Sequence, residues 1–465
     1  MTDINAVLEV ADRGLEQSLD RLFDLVRIPS ISTDPAYKSE CRKTAERITA
    51  DLSNLGFSAS LRDTPGHPMV VAHFEPKGAQ GKAPHFLFYG HYDVQPPDPL
   101  DKWTTPPFVP EKRTGKDGVV RLYGRGTADD KGQLLTFIEA MRAWIKATGS
   151  LPVKVSILIE GEEESGSPSL VPFLERSKAE LSCDAAFVCD TSMWDAKTPA
   201  ITTRLRGMVK DEITITGPRI DLHSGAYGGP AANPIRILSK LLSKLHDRNG
   251  KVTIPGFYEG VGELSKDVRQ QWQKLKFSDR KFLKEVGLSV PAGEKGRGVL
   301  EQIWARPTAE VNGIWGGYTG AGTKTVIPSQ AHAKLTFRLV GKQNPRKILK
   351  AFRAFAKAEV PKDCKIEFAP YGAGSPPSEI PENSPLIRSS AKALGDEWGR
   401  ETALIGSGGS IPIVRYFKDI LEMDSILIGF GLNDDALHSP NEKYNLSSFH
   451  KGIRSWVRVL GELAK

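Results

Sequence analysis

Runs of apolar residues punctuate the first half of the chain at strand length. The stretches 68–74, 85–89, 153–159 and 185–188 are each short, apolar and rich in β-branched or aromatic residues, and amphipathic helical stretches lie between several of them. That alternation predicts an α/β sandwich with a mostly parallel central sheet. The first 21 residues alternate acidic and apolar positions and predict an amphipathic opening helix. From 210 to 216 the pattern changes to strict alternation, the sign of a half-exposed strand. Asn233-Pro234 then opens a helix with an N-cap and a first-turn proline, and Ile235, Leu238, Leu242 and Leu245 form its expected buried stripe. A charged, helical insertion follows over roughly 256–305. Next come a strand over 331–339, a helix over 345–358 with Ile348, Leu349, Phe352 and Phe355 inward, and a strand over 364–368. This order is that of a β-α-β-β-α-β module. The Gly-, Pro- and Ser-rich stretch 372–385 is its return linker. The expected organisation is therefore a catalytic domain in two parts, 1–208 and 372–465, with an inserted α+β lid and dimerisation domain at 209–371.

Composition alters this picture little and charge alters it more. With 465 residues, 39% hydrophobic and 26% charged, the chain reads as an ordinary globular enzyme. No stretch is long and apolar enough to span a bilayer, and the opening residues do not resemble a secretory signal. Cys41, Cys183, Cys189 and Cys364 form no CxxC pair, which points to a reducing, cytoplasmic home. Residues 209–371 hold 28 Lys and Arg against 15 Asp and Glu, whereas the remainder holds 35 against 41. The excess is either a lysine-solvated surface or a basic lid that draws anionic substrate toward an acidic floor. No basic stripe interleaved with stacking aromatics appears, so nucleic acid is not an expected partner.

The chemistry sits at the ends of the apolar runs. Gly90-His91-Tyr92-Asp93, Asp129-Asp130-Lys131-Gly132, Glu163-Glu164-Ser165-Gly166 and Leu437-His438-Ser439-Pro440 each carry His, Asp or Glu where a buried strand would deliver it to a shared crevice. His91 and Asp93 are two apart and leave a strand on one face, so one can bind metal while the other steadies it. Asp129 and Asp130 precede a strongly amphipathic helix with Leu134, Leu135, Ile138, Met141 and Ile145. They could serve only as favourable helix-start charges, a reading weaker for Asp129 because the Gly124-Arg125-Gly126 turn before it bends the backbone to present something. The acidic run Glu160-Gly161-Glu162-Glu163-Glu164 follows the chain's most apolar segment, and its consecutive carboxylates suit a metal ligand beside a proton acceptor. Asp190 closes another buried strand and offers a further ligand. Carboxylates with two imidazoles suit Zn²⁺ or Mn²⁺ better than Cu⁺ or an iron–sulfur cluster.

Taken together, His91-Tyr92-Asp93-Val94-Gln95-Pro96, Gly124-Arg125-Gly126 with Asp129-Asp130-Lys131-Gly132, residues 161–167, Asp221-Leu222-His223-Ser224-Gly225 and Leu437-His438-Ser439-Pro440-Asn441-Glu442-Lys443 resemble the co-catalytic metallopeptidase family of carnosine dipeptidases, cytosolic nonspecific dipeptidases and glutamate carboxypeptidases. The resemblance covers nearly the whole chain and is closest to the dipeptidase branch. It implies two divalent ions per subunit, bridged by Asp129, with His91 and Asp190 on one and Glu164 and His438 on the other. It makes Glu163 the base that deprotonates a metal-bridging water and Asp93 the residue that steadies His91. It implies a homodimer in which His223 reaches the neighbouring site to stabilise the oxyanion, with Thr325, Arg338 and Ser410 binding substrate. Aspartate at 190 implies peptides with a free amino end, since relatives that act on acylated substrates carry glutamate there. The expected activity is hydrolysis of dipeptides with free amino and carboxyl ends. The alternatives are an amidohydrolase that deacylates N-acyl amino acids, a carboxypeptidase, or a non-catalytic relative, which would be expected to have lost a ligand or the base; every matched position is intact.

Overall fold

The apolar runs become the buried strands of a sheet in a computed structural model that describes residues 3–76, 83–372, 374–409 and 411–465. The chain divides into two units: Met1–Thr203 with Ile380–Ile405 and Tyr416–Lys465, and Arg204–Glu379 with Gly406–Arg415. In chain order the principal strands of the two main sheets are β1 (Ser58–Arg62), β2 (Met69–Phe74), β3 (His85–His91), β4 (Lys154–Glu160), β5 (Ala185–Val188), β6 (Ala200–Leu205), β7 (Gly207–Thr216), β8 (Thr308–Gly316), β9 (Gln330–Leu339), β10 (Lys365–Phe368) and β11 (Asp424–Ile428). The helices needed here are α1 (Ile4–Arg13), α2 (Leu15–Val26), α3 (Lys131–Thr148), α4 (Pro234–Ser243), α5 (Pro345–Ala358) and α6 (Leu446–Leu463).

The large sheet runs in the order β1-β2-β4-β3-β5-β11-β6, and the short strands Ser378–Glu379 and Ala403–Ser407 also pair with β6. Its centre is parallel: β4, β3, β5 and β11 run together, while β1 and β2 pair antiparallel, as β6 does with β11. The sheet is thus mixed: three of the four apolar runs, β3, β4 and β5, form its parallel part together with β11, while the fourth, β2, pairs antiparallel although it is just as buried over most of its length. The aromatic core packs there, with Phe88 stacked on Phe187 at 5.2 Å and Trp456 of α6 edge-on to Phe88 at 5.4 Å. Leu134, Leu135, Ile138 and Met141 of α3 are buried, as their spacing predicts. The opening helix is broken into α1 and α2 at Gly14, where the residue with the greatest backbone freedom interrupts the amphipathic repeat.

The second unit contains a four-stranded antiparallel sheet of order β8-β9-β7-β10 with α4 and α5, so the chain order β7-α4-β8-β9-α5-β10 is the β-α-β-β-α-β pattern. Asn233 caps α4 by accepting from the Ile235 N–H at 3.0 Å. In α4 Leu238 and Leu241 are buried, Leu242 packs partly against the same core and Leu245 is buried two residues past the helix end, whereas Ile235, in the first turn, is exposed. On α5, Ile348 and Phe352 are fully inside, and Leu349 and Phe355 pack partly against the same core. The charged insertion holds three short helices, Lys266–Lys274, Asp279–Glu285 and Val299–Trp304.

Candidate metal centre

The C-terminal ends of the parallel strands deliver the first donors. His91 ends β3, register-paired with Glu160 at the end of β4, and Asp190 stands two residues beyond β5. Asp129 comes from the loop that follows the Gly124-Arg125-Gly126 turn. Gly126 has φ +89, and a Cβ there would meet the Val94 side chain at 2.8 Å, so the turn requires glycine. His438 adopts φ +57 in a loop where Ala436 and Asn441 are also left-handed.

These elements converge on Asp129. Its Oδ1 lies 3.2 Å from His91 Nε2, and its Oδ2 lies 3.0 Å from His438 Nε2. His438 Nε2 is also 3.1 Å from Glu164 Oε1. Two sets of donors result, His91–Asp129–Asp190 and Asp129–Glu164–His438, each with its ligand atoms within 4.8 Å of one another and both sharing Asp129. Imidazole and carboxylate oxygen are the donors that Zn²⁺ and Mn²⁺ accept.

The electrostatics fit cations as well. Burial and the neighbouring Asp129, Glu163 and Glu164 push the Asp190 carboxyl well above the ordinary range, although His91 pulls it down. Burial also raises Glu163, with Glu164, Asp93 and Asp129 adding repulsion against the pull of His91. The hydrogen bonds of His438 to Asp129 and Glu164 lift its imidazole to about 10. Burial alone would lower His91, but its bonds to Asp129 and Asp93 hold it well above its usual value. Carboxylates crowded in this way repel one another, and bound divalent cations would relieve that repulsion.

Around the donors sits a ring of buried side chains. Asp93 holds His91 Nδ1 through its backbone oxygen at 3.1 Å and its Oδ1 at 3.3 Å. Its carboxylate also accepts from the N–H groups of Glu163 and Glu164 at 3.3 and 3.0 Å. Gln95 Nε2 donates to Glu164 Oε2 at 2.7 Å. The remaining members of the acidic run do other work. Burial pushes Glu160 up to about 8, and it accepts the Tyr89 hydroxyl at 2.5 Å; Glu162 accepts the His67 and Ser169 N–H groups at 3.0 Å each. Asp130 is fully buried and accepts the His91 N–H at 3.1 Å, so it is neither a ligand in these two sets nor a solvated helix-start charge.

Glu442 is a participant that residue patterns did not single out. Strand Lys443–Asn445 pairs with Val120–Tyr123, which brings Glu442 to the Asp129 loop. Its carboxylate accepts the N–H groups of Gly126 at 2.9 Å, Ala128 at 2.9 Å and Asp129 at 3.1 Å, and Arg125 Nη1 at 2.8 Å. The only sequence signal was its place in the His438 motif.

His223, Thr325 and Arg338 belong to the second unit. Strand pairing sets His223 opposite Val326, and Ser224 N–H donates to Thr325 O at 3.0 Å, so His223 and Thr325 are neighbours. Both are exposed, and among the described residues the His223 ring makes one hydrogen bond, its Nδ1 accepting from the Gly225 N–H at 3.0 Å. Arg338 lies near the end of β9, half-buried. Ser410 lies outside the described residues.

The sequence matches Peptidase family M20/M25/M40 over residues 87–462. The chain belongs to that family. It is 30% identical to Cys-Gly metallodipeptidase dug1 of Schizosaccharomyces pombe, across 99% of this chain and 98% of the relative. It superposes on the crystal structure of human carnosine dipeptidase 1 with a TM-score of 0.78 at 27% identity, covering 100% of this chain and 99% of that one. It superposes equally on an M20 family metallo-carboxypeptidase from Sulfolobus solfataricus, TM-score 0.79 at 29% identity, covering 96% and 99%. The fold is that of the M20 peptidases, and the chain is an enzyme of this family.

Proposed function

We propose that this chain is a dinuclear metallodipeptidase that hydrolyses dipeptides with free amino and carboxyl ends. The observation that carries the reading is the division of the two Asp129 oxygens between His91 and His438. A carboxylate with one oxygen toward each of two donor sets is the natural bridge for two cations. His91 and Asp190 complete one set, Glu164 and His438 the other, and Zn²⁺ or Mn²⁺ suits both. Bound there, two divalent ions polarise a carbonyl oxygen and lower the pKa of water.

The side chains supply the rest. Glu163 takes the proton of the attacking water at its carboxylate and returns it to the departing amine. A carboxyl raised by burial suits both halves of that transfer, because it is basic enough to accept and acidic enough to give back. Asp93 keeps His91 and the 163–164 turn in register for it. Asp190 and the acidic floor favour a positively charged amino end, and Arg338, Thr325 and Ser410 take the carboxyl end. His223 stabilises the tetrahedral oxyanion in a neighbouring subunit's site.

A homodimer through the second unit has support in exposed apolar residues. Val311, Ile314 and Trp315 of β8, at the edge of its sheet, are exposed, as are Tyr318 and Ile235. Cytoplasmic residence rests on the four cysteines, all unpaired. Among the described residues no helix is long and apolar enough to cross a membrane.

The test is metal analysis of the purified protein, followed by a panel with each metal restored: dipeptides, the matching tripeptides and N-acetyl amino acids. Two metals per chain and cleavage confined to dipeptides are expected. The match to a metallo-carboxypeptidase favours a second reading, and stepwise trimming of the tripeptides would establish it. Turnover of the N-acetyl amino acids alone would replace both with a deacylase.

A further inference from the structure

A half-buried arginine normally meets a carboxylate, because withdrawing a guanidinium from water without a counter-charge is unfavourable. The second unit holds two that do not. Arg206 directly precedes β7, and Arg338 of β9 is register-paired with Met208 of β7. Alternate residues of a strand share a face, so Met208 and Arg338 line the face opposite Val209, Ile213 and Ile215, which are in the core, and Arg206 stands one residue before that strand, close enough to feel the charge of Arg338. Arg206 is anchored at its base: Nε donates to Gly408 O at 3.0 Å, and its backbone N–H donates to Gly409 O at 3.1 Å. Its two terminal nitrogens and the whole Arg338 guanidinium have no hydrogen-bond or salt-bridge partner among the described residues. The pair feel each other: burial first, and then the charge of Arg338, pull Arg206 down to about 10, with Glu310 of β8 opposing.

We propose that Arg206 and Arg338 form one anion pocket for the terminal carboxylate of the substrate, which makes Arg206 a second specificity-determining residue. Two planar forks match the lone pairs of two carboxylate oxygens, and an anion between them removes the repulsion that the empty pair carries. The Gly408-Gly409 turn holds the Arg206 fork in place, a geometry that lysine cannot reproduce. The inference rests on the dipeptidase reading and deepens it.

The experiment uses metal-loaded wild type and the Arg206→Met, Arg338→Met and double variants, with Arg206→Lys as a charge-conserving control on folding. Each is assayed on alanyl-glycine and alanyl-glycinamide. Each single loss should reduce the preference for the dipeptide over its amide by about tenfold, the scale of one charge-assisted hydrogen bond. The double variant should lose less than the product of the two, and Arg206→Lys should fall with the Met variant. Equal loss on both substrates in Arg206→Met would overturn the pocket and leave the dipeptidase reading standing. If the wild type cleaves no dipeptide, that reading fails, and ligand-observed NMR titration with N-acetylglycine and N-acetylglycinamide decides the pocket by itself. Carboxylate selectivity that vanishes in Arg206→Met supports it, and selectivity unchanged in the variant overturns it.

Discussion

The candidate metal floor of the first unit and the proposed functional positions of the second are built in opposite ways. His91, Asp93 and Asp129 are buried, and each is tied by several short contacts to groups that are themselves anchored. His223 and Thr325 are exposed, held mainly by the local turn that joins them. Like charges can be crowded only where a rigid shell fixes them and a cation repays the crowding. Groups that meet a developing charge or a substrate end need only be available. The contrast predicts that metal binding is a property of the first unit alone, while turnover draws on both.

The largest effect should follow from removing the shared carboxylate. Asp129→Ala should lose both ions and all measurable activity, because one side chain serves both donor sets. Two metals per chain by elemental analysis of that variant would rule out the bridging role. Next in size is Glu163→Gln, expected to keep its metals and its fold while kcat falls by about 10²–10⁴-fold, the usual contribution of a positioned base. Activity within a few-fold of wild type would mean that the proton goes elsewhere.

From the other side of the comparison, His223→Ala should retain full metal content. Loss of one oxyanion donor typically costs about 2.7–4 kcal/mol of transition-state stabilisation. If the histidine serves a neighbour, mixing this variant with Glu163→Gln should restore part of the activity, because a mixed dimer has one site with both groups intact. Full activity in a monomeric fraction at assay concentration would refute the shared site.

How far such a site can be read from residues alone varies with the kind of signal. His91 and Asp190 were legible because a buried parallel strand is an apolar run, and its end is where a polar group has to mean something. The phase of α4 was legible in Leu238 and Leu245, but Ile235 was misjudged, since a first-turn residue is decided by what packs over it and not by periodicity. The acidic run showed that chemistry was present without dividing its roles. Residues 163–165 form a single 3₁₀ turn, which sends neighbouring carboxylates in different directions and leaves Glu160 and Glu162 to structural hydrogen bonds. His223, Thr325 and Arg338 had no local signal and came only from family resemblance. Glu442 was illegible for a different reason: its partners lie more than 300 residues away in sequence, and only a pairing between two short strands unites them.

Glu442 therefore offers a smaller and sharper test. Glu442→Gln should retain a side chain of the same shape but weaken the grip on three N–H groups around Asp129. Outer supports of this kind typically cost 10–100-fold in metal affinity. Competition with a chelator measures this directly, and unchanged affinity would reduce Glu442 to a simple partner for Arg125.

The smallest effect tests the independence of the two constructions. Asn344 caps α5 by accepting the Arg346 and Lys347 N–H groups at 3.0 and 3.2 Å, and it belongs to the second unit whereas both candidate donor sets belong to the first. Asn344→Ala leaves those two N–H groups to solvent and should cost about 1 kcal/mol, a lost N-cap, confined to the second unit. Calorimetry should then show one part of the unfolding transition moving down by a few degrees. Metal content and chelator competition should be unchanged, since both candidate donor sets lie in the first unit. A fall in metal affinity that tracks the loss of stability would mean that the second unit supports the centre, and the contrast between a rigid floor and merely available groups would fail at its root.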